Sequence, residues 1–439
     1  MSPFRVICAA FSFCLLALPA WAEIKIKEVV SPGGIVAWLV EDHSIPFAAL
    51  ELRFRGGTSL DQAEKRGATY LMTGLLEEGA GDLSAQEFAR ELESLAAGFS
   101  YDANRDTVSI SAQFLTENRD AAVDLLRKTI HEPRFDQDAL DRVRAQVLAG
   151  LRSDEKDPNE IAGRQFSQIA YGDHPYGSNG EGSIETVSAL TRQDMFDAHE
   201  AALAADRLFV GAVGDITAEE LGALLDTLLG DLPKEGGAIP ERAEVTIDGG
   251  ITIIDYDTPQ SVALFGHVGI DLDDPRYFAA FLLNQILGGG SFNSRLMTEV
   301  REKRGLTYGI YSYLVPRDLA AVYMGSVASD NSKMAETVEV IQTEWAKLAA
   351  NGVSAEELAD AKTYLTGAYP LRFDGNSRIA SILAGMQMDD LPIDYVETRN
   401  DKVNAVTLED VNRVAAEILL PDNLHFVIVG RPEGLQSTN

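Results

Sequence analysis

Cysteine is almost absent: Cys8 and Cys14 are the two in 439 residues, and both lie within the first 22. Residues 1–22 carry one basic residue, Arg5, an apolar run from Val6 to Leu18, and the triplet Ala20-Trp21-Ala22. A charged start, a short apolar stretch and an A-x-A site predict a secretory signal peptide cleaved after Ala22, too short to span a membrane. Neither cysteine has the small-residue context of a lipid-attachment site. The expected mature chain therefore has no disulfide, no thiol nucleophile and no thiolate metal site. No later apolar run reaches membrane-spanning length, so the expectation is a soluble protein that is periplasmic or otherwise secreted.

Positive charge is also scarce. Without the leader, 36 basic residues face 68 acidic ones, a net charge of −32. Nucleic acid and anionic lipid, which need a basic footprint, are disfavoured as partners. Such charge suits basic peptides, and it serves solubility in any case. Histidine is thin as well: His43, His131, His174, His199, His267 and His425 are the six, with no two at a helical or hairpin metal spacing. There is no G-x-S-x-G elbow, no P-loop and no G-x-G-x-x-G.

What is present is a duplication. Residues 187–214 align without a gap on residues 403–430, with nine identities that include Thr191/Thr407, Asp194/Asp410, Asp206/Asp422 and Gly214/Gly430. Each copy reads as a capped helix (Thr-x-x-Asp), a turn and a buried strand. Upstream, each half has the order strand, helix, glycine loop, helix, glycine, tyrosine, long strand, two helices. Gly98 and Tyr101 in the first half stand three apart, as do Gly305 and Tyr308 in the second. The fold class expected is α+β: two duplicated domains, each a mixed, mainly antiparallel sheet with helices on one face. The expected domains are 23–235 and 236–439, joined by a Gly-, Pro- and charge-rich linker over 231–250.

One stretch stands out. Residues 287–314, LGGGSFNSRLMTEVREKRGLTYGIYSYL, place Gly288, Gly289 and Gly290 before a helix expected over 292–303. That helix brings Arg301, Lys303 and Arg304 near a strand expected to start at Leu306 and to carry Tyr308 and Tyr311. An arginine and a tyrosine beside a glycine loop can grip a backbone carbonyl. The plainer alternative is that the basic residues complement the helix dipole and that Tyr308 is an ordinary strand residue.

This stretch, together with YGDHPYGSNGEGSIETVSALT at 171–191, resembles the pitrilysin/insulysin-type zinc peptidases, or inverzincins, over essentially the whole mature chain. The resemblance implies that the two halves form a clamshell. It also implies a zinc site of the form H-x-x-E-H on the first long helix, with a further glutamate downstream. Here the motif positions are Tyr70, Thr73 and Gly74, and the downstream position falls near Ala149 or Gly150. The expected ligands are absent, which puts autonomous proteolysis in doubt. His174, in YGDHPYG, is expected to serve a turn. The acidic pairs Glu77–Glu78 and Asp154–Glu155 are expected to be solvated charge, since adjacent residues do not share a helical face.

In this family a lost zinc motif beside a kept Arg301/Tyr308 pair looks like a non-catalytic, substrate-binding or regulatory subunit of a heteromeric periplasmic zinc metallopeptidase that degrades peptides or unfolded polypeptides. The resemblance then implies a catalytic H-x-x-E-H homologue as partner, in a heterodimer or a larger assembly, and zinc in that partner and none in this chain. Gly288, Gly289 and Gly290 would help hold the peptide substrate, with Arg301 and Tyr308 acting in trans on its carbonyl. No catalytic activity is expected of the chain alone. The alternative is a peptide-binding or scaffold protein with no protease activity.

Overall fold

The computed structural model describes residues 24–290 and 293–438. The expected leader and Phe292, the expected start of a helix, lie outside the described residues. In the first half, β1 (Lys27–Val30), β2 (Val36–Glu41) and β3 (Phe47–Arg55) precede α1 (Ala68–Thr73), and a small hairpin of β4 (Gly79–Ala80) and β5 (Leu83–Ser84) leads into α2 (Ala85–Ser94). Next come β6 (Gly98–Ala103), β7 (Thr107–Leu115), α3 (Arg119–His131), α4 (Gln137–Asp154) and α5 (Pro158–Tyr171). The half closes with α6 (Ile184–Ala189), α7 (Arg192–Ala202), β8 (Leu208–Gly214) and α8 (Ala218–Leu229). The second half runs β9 (Gly250–Asp255), β10 (Gln260–Val268), α9 (Tyr277–Leu287), a π-helix at Met297–Glu302, β11 (Ile310–Arg317) and β12 (Ala320–Asp330). It ends with α10 (Met334–Asn351), α11 (Ala355–Ala368), α12 (Asn376–Met388), α13 (Tyr395–Ala405), α14 (Leu408–Ile418) and β13 (His425–Gly430).

The strand order is β1-β2-β8-β3-β7-β6 in one sheet and β11-β12-β10-β13-β9 in the other. Apart from β1 the two orders are the same. Both sheets are mixed and mainly antiparallel, with β2–β8 and β9–β13 as the parallel pairs. The repeated segments fold alike. The Thr191 side chain accepts the Asp194 N–H and Thr407 does the same for Asp410, and each acid reaches back to its cap. Each copy then ends its strand on a positive-φ glycine, Gly214 at 128° and Gly430 at 149°.

Both faces of each sheet are apolar, which one layer of helices cannot cover. In the first sheet Leu39, Leu50, Leu52 and Ala212 join the core beneath that half's own helices. Their strand neighbours Trp38, Ala49 and Val213 point the other way, as the two-residue period of a strand requires, and pack on Ala380, Leu383 and Met386 of α12. The second sheet repeats the pattern. Phe265, Phe426 and Ile428 face its own helices, while Val322, Val427 and Val429 face Ala162, Phe166 and Ala170 of α5. Each half thus lends one helix to the other's open sheet face, an addition to the expected helices on one face. Burying a side chain such as Leu383 contributes about 1.5–3 kcal/mol, against about 5–15 kcal/mol for a whole domain. A half without its borrowed helix would therefore lose much of its stability.

The crossings need small residues. A Cβ on Gly211 of β8 would fall on the Ala380 carbonyl oxygen of α12, and one on Gly266 of β10 would come within 3.0 Å of the Phe166 ring of α5. The Gln387 side-chain amide adds a 2.7 Å hydrogen bond to the Val210 carbonyl at the first crossing. The segment between the halves is tied down on both sides. Ala205 N–H donates to Pro233 O at 2.8 Å, Ala243 N–H to Leu319 O at 2.8 Å and Thr246 N–H to Ala170 O at 3.1 Å.

Gly211→Val is expected to lower the thermal midpoint by the equivalent of about 1–3 kcal/mol, the usual cost of overpacking. An unchanged melting curve would show that the α12 crossing tolerates a side chain at Gly211.

Candidate functional site

The helix that resembles a zinc-binding helix is short, because α1 ends at Thr73 and the chain turns through Gly74. Its start is fixed by Asp61, whose carboxylate accepts the Gly67 N–H at 2.9 Å, the Thr69 N–H at 3.1 Å and the Thr69 hydroxyl at 2.6 Å. Burial still pushes Asp61 up to about 6, against these hydrogen bonds. Two of the three motif positions are used for packing. Thr73 is buried and its hydroxyl donates to the Tyr70 carbonyl at 2.8 Å. A Cβ on Gly74 would come within 3.3 Å of Val143 on α4, so a histidine there would have to displace a neighbour. Ala149 and Gly150 lie exposed on α4. This donor set does not fit zinc. Among the described residues no group of three or more His, Cys, Asp or Glu is placed to hold a metal ion.

Tyr70 does line something: a cavity of about 490 Å³ between the halves. The first half contributes Tyr70, Ala103, Arg105 and residues of α5, and the second contributes Leu264, Tyr313, Val315 and Arg317. Because β6 and β11 are the outer strands of their sheets, the cavity runs beside two open sheet edges. Arg105 sits at the β6–β7 turn and Arg317 ends β11. Neither was singled out from the sequence, where isolated arginines in turns carry no pattern.

The stretch at 287–314 differs from the helix-and-strand expectation. Met297–Glu302 winds as a π-helix, with the Lys303 N–H reaching back to the Thr298 carbonyl at 3.0 Å. Gly305 ends it at φ 60°, its N–H donating to the Arg301 carbonyl at 2.9 Å. Lys303 and Arg304 are paired with Glu299, at 2.6 and 2.8 Å. The strand starts at Ile310 and not at Leu306, so Tyr308 stands on an irregular loop pinned by the Thr307 hydroxyl, which donates to the Ala328 carbonyl at 2.6 Å. Tyr308 is 91% exposed and Arg301 is half-buried on the π-helix. Gly288 and Gly289 are needed for close packing, since Cβ atoms there would come within 2.7 Å of the Ser312 N and 2.5 Å of the Gln285 Cα. Gly290, at φ 87°, has none of the described residues within 4 Å of where a Cβ would stand.

The pairing of Gly98/Tyr101 with Gly305/Tyr308 is also corrected. Through the strand ladders Tyr101 stands opposite Ile110 and Leu52, and in the second sheet the corresponding chain is Phe265, Gly325 and Ser312. Tyr101 is thus the counterpart of Ser312. It lies within β6, donating its hydroxyl to Thr129 at 2.9 Å, whereas Tyr308 belongs to a loop that precedes the equivalent strand.

Every histidine has a structural occupation. His174 accepts the Tyr176 N–H at Nδ1, 3.1 Å, and donates from Nε2 to the Glu241 carbonyl, 2.9 Å, so it caps its turn and ties down the linker. His43 pairs with Asp215 at 2.7 Å, and His131 and His199 bond backbone carbonyls at 2.7 and 2.9 Å. His425 bridges Thr252 and the Asp248 carbonyl. His267 is wholly buried, donating from Nδ1 to the Val268 carbonyl at 2.7 Å and accepting the Trp345 indole N–H at 3.0 Å.

Burial holds His267 down at about 4, against an ordinary 6.5. The unfolded chain takes up this proton first, so the His267 contribution to stability is complete above pH 6.5 and is lost as the pH falls towards about 4. Asp61 and Asp318, both pushed up to about 6 by burial, act in the opposite sense between 3.8 and about 6. The test is the difference between wild type and His267→Gln. The variant should lose less of its thermal midpoint between about pH 7 and 5, and parallel acid profiles would rule His267 out.

Comparison with known proteins gives these likenesses. Residues 36–182 match the insulinase model, peptidase family M16, and residues 189–365 match the peptidase M16 inactive domain. A crystal structure of a peptidase M16 inactive domain from Pseudomonas fluorescens superimposes with a TM-score of 0.86 at 30% identity, covering 93% of this chain and 98% of that one. The non-peptidase homolog YmxG of Helicobacter pylori is 28% identical over 393 residues, 89% of this chain and 90% of its own. A Bacillus subtilis relative named as an uncharacterized zinc protease, also YmxG, is 24% identical over 416 residues, 90% of this chain and 96% of its own. Peptidase and non-peptidase names both occur among these relatives.

Proposed function

The chain belongs to the insulinase (M16) peptidase family, and from that premise we propose that it is the non-catalytic, substrate-binding subunit of a periplasmic zinc peptidase. Its partner in this reading is an H-x-x-E-H homologue that holds the zinc, and the substrates are peptides or unfolded polypeptides. The observation that carries the reading is Tyr308, a tyrosine 91% exposed on an ordered loop seven residues past Arg301, in a chain whose motif positions hold Tyr70, Thr73 and Gly74. Large aromatics left in solvent are characteristic of surfaces that meet a partner. The guanidinium and the phenol are both donors that can be aimed at a carbonyl oxygen without competing for a metal.

The open edges of β6 and β11 support the peptide part of the reading. An extended peptide gains affinity by adding main-chain hydrogen bonds to such an edge. Zinc in the partner would polarise the scissile carbonyl. This chain's task is to close over the peptide and supply donors from Arg301 and Tyr308. Among the described residues no helix is long and apolar enough to cross a membrane.

The test is co-expression with an H-x-x-E-H homologue and assay against unfolded peptides with and without chelator. Chelator-sensitive cleavage is expected from the pair and none from this chain alone. Arg301→Ala or Tyr308→Phe should lower the pair's turnover about tenfold or more without dissociating it. Cleavage by the purified chain alone would refute the proposal, and wild-type turnover in both variants would remove the two side chains from it. Peptide binding with no pairing would favour the scaffold reading. Export is checked by sequencing the N-terminus of the mature protein, which should begin at Glu23.

A further inference from the structure

Of the three arginines that line the cavity between the halves, Arg164 donates to the Asp154 carbonyl at 3.0 Å, and Arg105 and Arg317 face it without an acid to pair with among the described residues. Arg105 comes from the first half and Arg317 from the second. Among the described residues neither has a carboxylate within 4.0 Å, whereas Arg295 meets Glu357 at 2.6 Å and Arg276 meets Asp274 at 2.7 Å. The Nε atoms of Arg105 and Arg317 are out of contact with solvent and have no hydrogen-bond partner. Arg105 Nη2 makes two long contacts, 3.4 Å to the Ser167 hydroxyl and 3.3 Å to the Ser178 carbonyl. The Arg317 guanidinium lies 5.6 Å from the centre of the Tyr176 ring. Asp106, the nearest acid by charge, already accepts the Tyr176 hydroxyl.

The two cations also act on each other. Burial first, and then the charge of Arg317, hold the Arg105 guanidinium below its usual range. Buried donors without acceptors and buried charges without counterions are both costly. One anion between the two guanidinium groups would relieve both costs at once. The cavity is polarised. Glu160 and Glu181 also line it, and Glu181 is held above the usual carboxylate range by burial and by the negative charges of Asp154 and Glu160. Neither glutamate is among the groups that act on Arg105. Asp154 and Glu160 act on Glu181, while Asp106 is the carboxylate that acts on Arg105.

We propose that the cavity recognises a single carboxylate of a bound peptide, clamped between Arg105 of one half and Arg317 of the other. Arginine suits the task because its planar fork matches a carboxylate. Glu160, Glu181 and the chain's net charge of −31 oppose polyanions, so the ligand class is a peptide with one negative group and an otherwise neutral or basic sequence. Over the few ångströms of a clamp the local arginines prevail, because charges farther away than about 8–10 Å are screened. The carboxylate is the chain's C-terminus or an aspartate or glutamate side chain. The site deepens the substrate-binding reading above and rests on it only in taking a peptide as the ligand.

The test is equilibrium binding to the purified full-length mature chain, with no partner and no turnover, so failure here leaves the pairing and donor roles to their own assay. The probe is a short basic peptide, rhodamine-labelled at its N-terminus, with a free C-terminus and one internal aspartate. Two further versions have the C-terminus amidated or the aspartate changed to asparagine. Loss of the carboxylate that is bound should weaken binding about tenfold, the scale of a lost charge-assisted pair of hydrogen bonds. Weakening by amidation identifies the C-terminus as the source and weakening by asparagine identifies the side chain, and either supports the proposal. Arg105→Gln and Arg317→Gln should each abolish that difference, while Arg105→Lys should keep part of it, with folding checked by thermal melts. Equal affinities for all three peptides, no binding of any, or folded Gln variants that still discriminate would overturn the site.

Discussion

The structure depends on covering two apolar faces of each sheet. Strand residues alternate sides, so a strand such as Leu208–Gly214, buried at every position from Val210 to Gly214, presents two surfaces that water cannot be left to meet. Each half has helices enough for one surface. Exchange of α5 and α12 covers the other two and thereby fixes the halves against each other. The cavity follows from this arrangement, since α5 both roofs the second sheet and lines the space beside the first half's outer strand.

That rigidity sets the chemistry. Two of the three positions that match the zinc motif are closed by packing, since Thr73 spends its hydroxyl on α1 itself and Gly74 leaves only the space Val143 needs, while Tyr70 lines the cavity. What stays open is polar and basic on one side. The space does not depend on α1 alone, because both sheets and α5 build it.

Much of the fold was legible in the sequence because the informative residues act locally. The Thr-x-x-Asp boxes at Thr191 and Thr407 form in both copies, and the alternating strand at Thr107–Leu115 has the bounds that its pattern implies. The two exchanged helices were not legible. Pro158–Tyr171 and Asn376–Met388 each meet a sheet of the other half, and small residues such as Ala162, Ala380 and Ala384 at the crossing blur the apolar stripe that would announce them. Tyr308 was misread as a strand residue because Leu-Thr-Tyr has strand propensity, while the Gly305 turn and the Thr307 hydroxyl bond to the Ala328 carbonyl hold it off the sheet. The cavity arginines were invisible for a different reason. Arg105 and Arg317 lie 212 positions apart in sequence and only the fold brings them to one space.

The gap-free repeat has a consequence when joined to the helix exchange. A single copy of the repeated unit would leave one sheet face bare, so such a unit on its own would need a second copy to lend it a helix. Holding both copies in one chain makes that encounter independent of concentration. Within one chain the copies are also free to differ, as Tyr101 differs from its counterpart Ser312.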